Sequence, residues 1–217
     1  MSYKTMLKAA QVFSRECYEM EVARAREYQD PYKHRRRGIM GANFFHHSDD
    51  PDGVLRQILI NGYMGVSYTE ALPELLAAKE EGLPDDTAQS LFLSGRSYYE
   101  QQTLGKGNFP LLKEVKALFA AERAKHKGEG SENCNTRYKL VSGEDLQHTV
   151  MVNIKYLIRL MEITDCSGGE TFYYSGQTAP VYIDKWVDSY KECPHGIGIE
   201  GVILPIRIMG GEHCLND

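Results

Sequence analysis

An apolar pattern near the start of the chain constrains the fold more than any other feature of the sequence. Apolar residues recur there at intervals of three and four positions, at Met6, Ala10, Phe13 and Cys17. In an α-helix that spacing places the side chains on one face, where a core can bury them. The pattern predicts an amphipathic helix from Tyr3 to Tyr28, ended by Pro31 because proline cannot continue a helix. We interpret residues 3–28 as a helical arm packed on a single domain that spans residues 1–217.

Helices are also the main prediction for the rest of the N-terminal half. An apolar and aromatic segment from Ile39 to His46 first predicts a short buried strand. The helices that follow are predicted from their apolar spacing and their stop signals. They are a helix through Val54, Leu55, Ile58 and Leu59 that ends at Gly62, a helix from about Thr69 to Glu81, and a helix over Pro110–Lys127 capped by Asn108.

The pattern then changes to one typical of strands. Apolar residues alternate from Val150 to Leu160 with a period of two. A capping pair, Ser142 with Asp145, leaves open a helix in this region instead. The remaining predictions are a hairpin turn at Ser167-Gly168-Gly169, a strand over Thr171–Tyr174, a short helix over Ile183–Tyr190 and an edge strand over Val202–Ile208 that contains Pro205. The sequence therefore predicts an α+β fold, helix-rich in its N-terminal half and with an antiparallel or mixed sheet in its C-terminal half.

Charge and cysteine content argue against several classes of protein. The chain has 25 basic and 30 acidic residues, so it has no general attraction to nucleic acid or to an anionic membrane. Its five cysteines are odd in number and lack a CxxC spacing, which is typical of a reducing compartment. No apolar run approaches the roughly 18 residues of a membrane helix, and the first residues do not resemble a secretory signal. We expect a cytoplasmic protein with no membrane partner.

The densest group of chemically active side chains is the segment FFHHSDDPDG, residues 44–53. Two histidines, a serine and three aspartates lie there, after a predicted strand and before a predicted helix. Such junctions often carry ligand-binding groups, because the side chains point into a crevice. Asp49, Asp50 and Asp52 also suit a purely structural role, since carboxylates stabilise a helix N-terminus.

One functional interpretation of this segment is a divalent metal site. His46, His47, Asp49 and Asp52 offer imidazole and carboxylate ligands suited to Mn, Mg or Zn. Their order resembles a stretched form of the HxDxDG signature of DHH-type phosphoesterases. That resemblance implies a metal-dependent hydrolase acting on a phosphoester.

A second interpretation rests on His46, Ser48 and the segment Ile58-Leu59-Ile60-Asn61-Gly62-Tyr63. A strand that ends in His-x-Ser, followed by a helix ending Ile-Leu-x-x-Gly-aromatic, resembles ADP-ribosyltransferases of the His-Tyr-Glu type. His47 stands where the family has glycine. The segment LFLSGRSYYEQQTLGKGNF is similar to the one in which these enzymes place a tyrosine on nicotinamide, and here it carries Tyr98, Tyr99 and a predicted turn at Gly105-Lys106-Gly107.

The resemblance implies a role for each matching residue. His46 and Ser48 would hold the ribose and nicotinamide of NAD, which is a substrate in this family, and Tyr98 or Tyr99 would stack on the nicotinamide ring. Glu200 fits the family's glutamate, whose carboxylate stabilises the ribosyl cation, and Glu170 is the reserve. The enzyme would then be a glycosyltransferase with an unidentified protein or nucleic-acid acceptor.

Three classes of function therefore stay open on the sequence. They are an NAD-consuming transferase, a metal-dependent hydrolase and a non-enzymatic module that binds a protein through residues 3–28 or through the basic run Lys33–Arg37. The transferase requires His46 and Glu200 to approach within about 8 Å across one cleft. The hydrolase requires a bound metal, and the binding module requires neither.

Overall fold

In the computed structural model, a seven-stranded antiparallel sheet organises most of the described chain. The structure describes residues 2–28, 42–47, 55–69, 105–128, 134–141, 149–174, 176, 179–188, 196–206 and 213–217. The helices are α1 (Tyr3–Tyr28), α2 (Leu112–Lys125) and α3 (Ile154–Ile163). The strands are β1 (Ala42–His47), β2 (Leu55–Ile60), β3 (Met64–Tyr68), β4 (Gly105–Asn108), β5 (Arg137–Val141), β6 (Thr149–Asn153), β7 (Thr171–Tyr174), β8 (Val181–Val187) and β9 (Ile197–Ile203).

The strand order shows how distant parts of the chain meet in one sheet. The large sheet runs β1-β2-β3-β9-β8-β7-β4, and a separate two-stranded sheet pairs β5 with β6. The late strand β9 lies in the middle and pairs with both β3 and β8. The predicted α+β class is confirmed, although the sheet takes strands from both halves of the chain.

Helices pack against one of the two faces of the large sheet. A side chain at Gly201 would come within 2.9 Å of Leu160 and Thr164. The face of the sheet on which a Gly201 side chain would lie is therefore packed directly against α3. The core cluster on this side also includes the buried residues of α1, which are Tyr3, Met6, Ala10, Phe13 and Cys17. We call this the helix face. We call the opposite side the Glu200 face; its cross-strand rows include Ile58, Ser67, Glu200 and Asp184.

Helix α1 has the bounds predicted from its apolar stripe, and it forms part of the core. Its last described buried residue, Cys17, has no exposed surface. An ion pair between Arg159 and Glu16, 2.5 Å apart, also joins α1 to α3. The apolar periodicity was sufficient to predict this helix because the stripe is long and belongs to one element.

The helix predicted to end at Gly62 is wrong, because the segment forms a hairpin instead. Strands β2 and β3 pair antiparallel on either side of Asn61 and Gly62. The Asn61 side-chain oxygen accepts hydrogen bonds from the backbone N–H groups of Tyr63 and Met64, each at 3.0 Å. Gly62 has a φ of 85°, a left-handed conformation that suits a turn as well as a helix stop. Asn-Gly between apolar runs is a strong hairpin signal, and it outweighed the helical spacing.

The strand predicted over Val150–Leu160 is half right. Strand β6 ends at Asn153, whose side chain accepts a hydrogen bond from the Lys155 N–H and so caps α3. The same segment carries an apolar stripe with helical spacing, since Ile154, Leu157 and Leu160 are fully buried. The strand-like alternation and the helical spacing overlap in this segment. The Asn153 cap marks the point where the strand ends and the helix begins.

Three further sequence predictions need correction. The helix predicted over Ile183–Tyr190 is instead part of β8 as far as Val187. The last strand, β9, ends at Ile203 before Pro205 and is central rather than at an edge. Helix α2 begins at Leu112 without a side-chain cap, so Asn108 does not cap it.

The predicted turn at Gly105-Lys106-Gly107 is also wrong, because these residues form the edge strand β4. Glycine is needed there for packing. A side chain at Gly105 would overlap the ring of Tyr174, and one at Gly107 would overlap the ring of Phe172. The two glycines therefore let aromatic rings of β7 lie across the neighbouring strand.

The helix predicted from Thr69 to Glu81 falls almost wholly outside the described residues. Thr69 itself is a bend directly after β3, and its backbone N–H donates to the Gly198 carbonyl at 2.9 Å. Part of the predicted strand Ile39–His46 is described, and it forms β1 from Ala42 to His47.

Candidate active site

Of the residues that the sequence places in an active site, the structure describes His46, Glu200 and the reserve Glu170, together with the strand position of His47 from the metal interpretation. Ser48, Tyr98 and Tyr99 lie outside the described residues, as do Asp49 and Asp52 of the metal interpretation. The site is therefore built from Glu200 outward.

Glu200 lies in the middle of β9, at the centre of the large sheet. The register pairs it with Ser67 of β3 on one side and with Asp184 of β8 on the other. Directly opposed residues of an antiparallel pair lie on the same face, with Cβ atoms about 4.5–5.5 Å apart. A hydroxyl and two carboxylates thus form one polar row across three neighbouring strands.

Burial makes this polar row unusual. Glu200 is 5% exposed and Ser67 is 3% exposed, whereas Asp184 is exposed at the end of the row. The neighbouring side chains of the same face are apolar or aromatic and buried, namely Ile58, Ile60, Val202 and Tyr182. Burying a carboxylate is costly unless other groups compensate it, so its presence here points to a specific structural or chemical role.

His46 belongs to the same face as Glu200 but to a distant strand. The register places position 46 in the row of Arg56, Thr69 and Gly198, two residues along from the row of Glu200. Strands β2 and β3 lie between them, so the backbones are about 14 Å apart across the sheet and about 7 Å apart along it. The structure therefore does not place the two residues on neighbouring strands, and the backbone alone does not give the expected 8 Å approach.

The strand geometry also bears on the metal interpretation. Successive positions of a strand belong to opposite faces, so β1 places position 46 on the Glu200 face and position 47 on the helix face. Within the described ranges, no group of three or more His, Cys, Asp or Glu residues is arranged to hold a metal ion.

Sequence analysis missed Trp186, an exposed aromatic residue of the Glu200 face. It lies on β8 opposite Gly198 and is 59% exposed. A side chain at Gly198 would lie 3.2 Å from the indole, and one at Gly196 would lie 2.9 Å from it. The ring therefore lies against the backbone of Gly198 in β9 and of Gly196 just before that strand. Trp186 lies two residues after Asp184, which is a signal in the sequence, but the apolar pattern of this segment predicts a helix.

The reserve carboxylate, Glu170, has a structural role. Its two oxygens accept hydrogen bonds from the backbone N–H groups of Ser167 at 3.1 Å and Gly168 at 2.8 Å. These bonds fix the turn between α3 and β7, in which Gly168 and Gly169 have positive φ angles. Glu200 is thus the better candidate of the two for chemistry.

Cys166 is not suited to act as a nucleophile. The thiol is fully buried behind α3, and this burial raises its pKa to about 12. The thiolate is the nucleophilic form, and a pKa this high leaves almost none of it at neutral pH. The buried cysteine therefore belongs to the core.

Comparison with known proteins gives no relative from which a role can be transferred. No family model, no curated protein sequence and no solved structure matches this chain. None of the helices in the described parts has the length and apolar character required to cross a membrane.

Proposed function

We propose that this chain cleaves the bond between nicotinamide and ribose in NAD⁺ and transfers the ADP-ribosyl group to an acceptor. Glu200 is the residue that stabilises the reacting ribose. The acceptor is a protein or nucleic-acid group, with water as the alternative when no acceptor is present. The proposal includes no metal ion, since NAD⁺ carries its own leaving group.

The buried position of Glu200 is the observation that supports the proposal most. A carboxylate in a water-poor setting interacts strongly with a nearby positive charge, because little solvent screens it. Placed beside a ribose, it would stabilise the cation that develops at C1′ as the glycosidic bond breaks. The strands of the sheet hold Glu200 at a fixed position, so little reorganisation is needed during the reaction.

The proposed step balances without a redox partner. The bond between ribose C1′ and nicotinamide N1 breaks, and its electron pair moves to N1, so the pyridinium leaves as neutral nicotinamide. The acceptor then forms a bond to C1′ and loses one proton to solvent. No general acid is required for the leaving group, because the departing ring is already cationic.

Neighbouring residues supply the binding groups in this proposal. The Ser67 hydroxyl lies across from Glu200 and offers a hydrogen bond to a ribose hydroxyl or to the carboxylate itself. His46 and Ser48 hold the part of NAD⁺ that extends from the reacting ribose towards β1 in this proposal. A ligand that contacts both His46 and Glu200 must extend across β2 and β3, which is consistent with an elongated substrate such as a dinucleotide.

The first test measures release of nicotinamide from NAD⁺ by the purified chain, with and without cell extract as a source of acceptors. Glu200→Gln removes the charge but keeps the shape, and we expect it to lower the rate by at least about 100-fold. Glu114→Gln, an exposed change on α2, is the matched control and should leave the rate unchanged.

Thermal melting of each variant separates a loss of chemistry from a loss of folding. The expected result is a Glu200→Gln protein that stays folded and still binds NAD⁺, which would raise its melting temperature. Equal nicotinamide release by Glu200→Gln and by the unmodified chain would contradict the proposal. So would a failure of the unmodified chain to release nicotinamide above the blank in the presence of extract.

A further inference from the structure

We propose that Trp186 is the platform on which the nicotinamide ring of the substrate stacks, directly beside Glu200. The inference rests on the proposed function and gives Trp186 the stacking role that the sequence resemblance implies for Tyr98 or Tyr99. The ligand class is a planar cationic ring attached to a ribose.

The exposure of Trp186 is the first argument. It is the single tryptophan of the chain, and at 59% it is the most exposed large apolar side chain of the described residues. Leaving so much of an indole in water forgoes the stabilisation that burial would give. An exposed tryptophan on an otherwise well-buried sheet is therefore a candidate contact for a ligand.

The way the ring is seated is the second argument. The indole lies against Gly196 and Gly198, where added side chains would come within 2.9 Å and 3.2 Å of it. Gly198 also donates its backbone N–H to the Thr69 hydroxyl at 2.8 Å, which fixes β9 beneath the ring. One side of the indole is thus supported by rigid backbone, and the ring needs little further ordering when a ligand binds.

Charge favours a cationic ligand over a neutral one. Asp184 lies two residues before Trp186 on β8 and therefore on the same face, and it is exposed. Lys185, between them, belongs to the opposite face, where its ammonium donates to the Asp165 carbonyl. A cationic ring over an indole gains from the ring's quadrupole, and a nearby carboxylate adds to that attraction.

The register then connects the platform to the reacting bond. Trp186 is opposite Gly198, and Glu200 is two residues further along β9 on the same face. Such diagonal neighbours have Cα atoms about 7–8 Å apart, which is within reach of an aromatic side chain. A nicotinamide stacked on Trp186 would place the attached ribose C1′ at the exposed Asp184 end of the polar row, next to Glu200.

The single tryptophan makes the binding test direct. Its fluorescence would be titrated with NAD⁺, with the 1-methylnicotinamide cation and with AMP, while the lifetime is recorded. Stacking predicts saturable quenching by NAD⁺ and by 1-methylnicotinamide with an unchanged lifetime, since a stacked complex does not emit. Free N-acetyltryptophanamide serves as the reference for collisional quenching, which is linear and shortens the lifetime.

Variants test the contribution of the ring to affinity. Calorimetry on Trp186→Leu should show NAD⁺ binding weakened by about 10-fold, because the ring interaction is lost. Tyr63→Leu is the matched control, since Tyr63 is 51% exposed and lies in the β2–β3 turn. The control should bind NAD⁺ with unchanged affinity.

The outcomes distinguish this inference from the proposed function. Saturable static quenching without any nicotinamide release would support the platform and contradict the proposed reaction. Nicotinamide release with only collisional quenching would support the reaction and overturn the platform. Saturation by AMP and not by 1-methylnicotinamide would also overturn it, because the ring would then hold the adenine end.

Discussion

Single side chains decide the path of the chain at several points, and Asn61 is the clearest of them. It is buried, and its side-chain amide oxygen accepts hydrogen bonds from the backbone N–H groups of Tyr63 and Met64. A short polar side chain that replaces a backbone acceptor is the usual way to close so tight a connection.

We therefore expect Asn61→Ala to lower the free energy of unfolding by about 1–3 kcal/mol, since it removes the acceptor of the buried Met64 N–H and of the partly buried Tyr63 N–H. Urea unfolding would measure the change. Asn61→Asp keeps the accepting oxygen and should cost less than the alanine variant. A cost for Asn61→Ala that does not exceed that of Asn61→Asp would mean that the turn does not depend on this side chain.

The candidate site shows which functional residues can be selected from the sequence alone. Glu200 could be selected because an acidic residue stands before an apolar strand-like run. Its position opposite Ser67 and Asp184 could not, because register depends on which strands pair. Trp186 was missed for the same reason: its contact with Gly198 of β9, and with Gly196 just before that strand, depends on the pairing of β8 with β9.

Among the elements, α3 is held in place by a specific polar contact as well as by apolar packing. The hydroxyl of Tyr68, on β3, donates to the Ile163 carbonyl at 2.8 Å, at the last residue of the helix. Carbonyl groups at a helix C-terminus lack partners within the helix, so an outside donor satisfies one of them. This bond connects α3 to the sheet at a buried position.

Tyr68→Phe should consequently lower the free energy of unfolding by about 1–3 kcal/mol, because a buried carbonyl loses its donor. The ring itself is retained, so no large cavity forms. Chemical denaturation at neutral pH would give the value, with Tyr63→Phe as the exposed control. Unfolding curves for Tyr68→Phe that superimpose on those of the unmodified chain would show that this contact contributes nothing to stability.

Helix α2 has a contact whose strength depends on pH. The hydrogen bond from the Asn135 backbone N–H to the Glu122 carboxylate, at 3.0 Å, is the main cause that lowers the pKa of Glu122 below its usual 4.5. Lys125 and His126 lower the pKa further, against desolvation, which raises it. The charged carboxylate is thus the form that the folded state favours.

The sign of the effect follows from linkage. A carboxyl group with a lowered folded pKa stabilises the fold above its unfolded pKa and loses that contribution as pH falls through the folded value. We expect the unmodified chain to melt higher than Glu122→Gln at pH 7, and we expect this difference to shrink as the pH is lowered towards 3. Melting curves at matched ionic strength would measure it; a difference independent of pH would contradict the assignment.

The elements also show where sequence patterns are ambiguous. The long stripe of α1 predicted a helix with the correct bounds. The shorter apolar runs of β2 and β8 fitted a helical period as well as a strand, and both were assigned to helices. Pairing with neighbouring strands stabilises these segments as strands. That pairing joins residues distant in sequence, so the pattern within one short segment does not contain it.

For the whole molecule, the sequence predicted the α+β class but not the distribution of its strands. The prediction put helices first and the sheet second, whereas β1, β2 and β3 of the N-terminal half join β9 and β8 of the C-terminal half. Composition and local periodicity indicate which elements are present. The order of strands in a sheet depends on contacts between distant segments, so it required the structure.

The pairing of β3 with β9 has a consequence for biosynthesis. Thr69 and Gly198, which join the ends of these strands, are 129 residues apart in the sequence. At ordinary elongation speeds the ribosome needs roughly 6 to 26 s to make that interval. Throughout this time the edge of β3 has no native partner, and an open edge is a template for adhesion to other chains. Newly made copies are thus more vulnerable to misassembly than mature ones, and slow translation would prolong that risk.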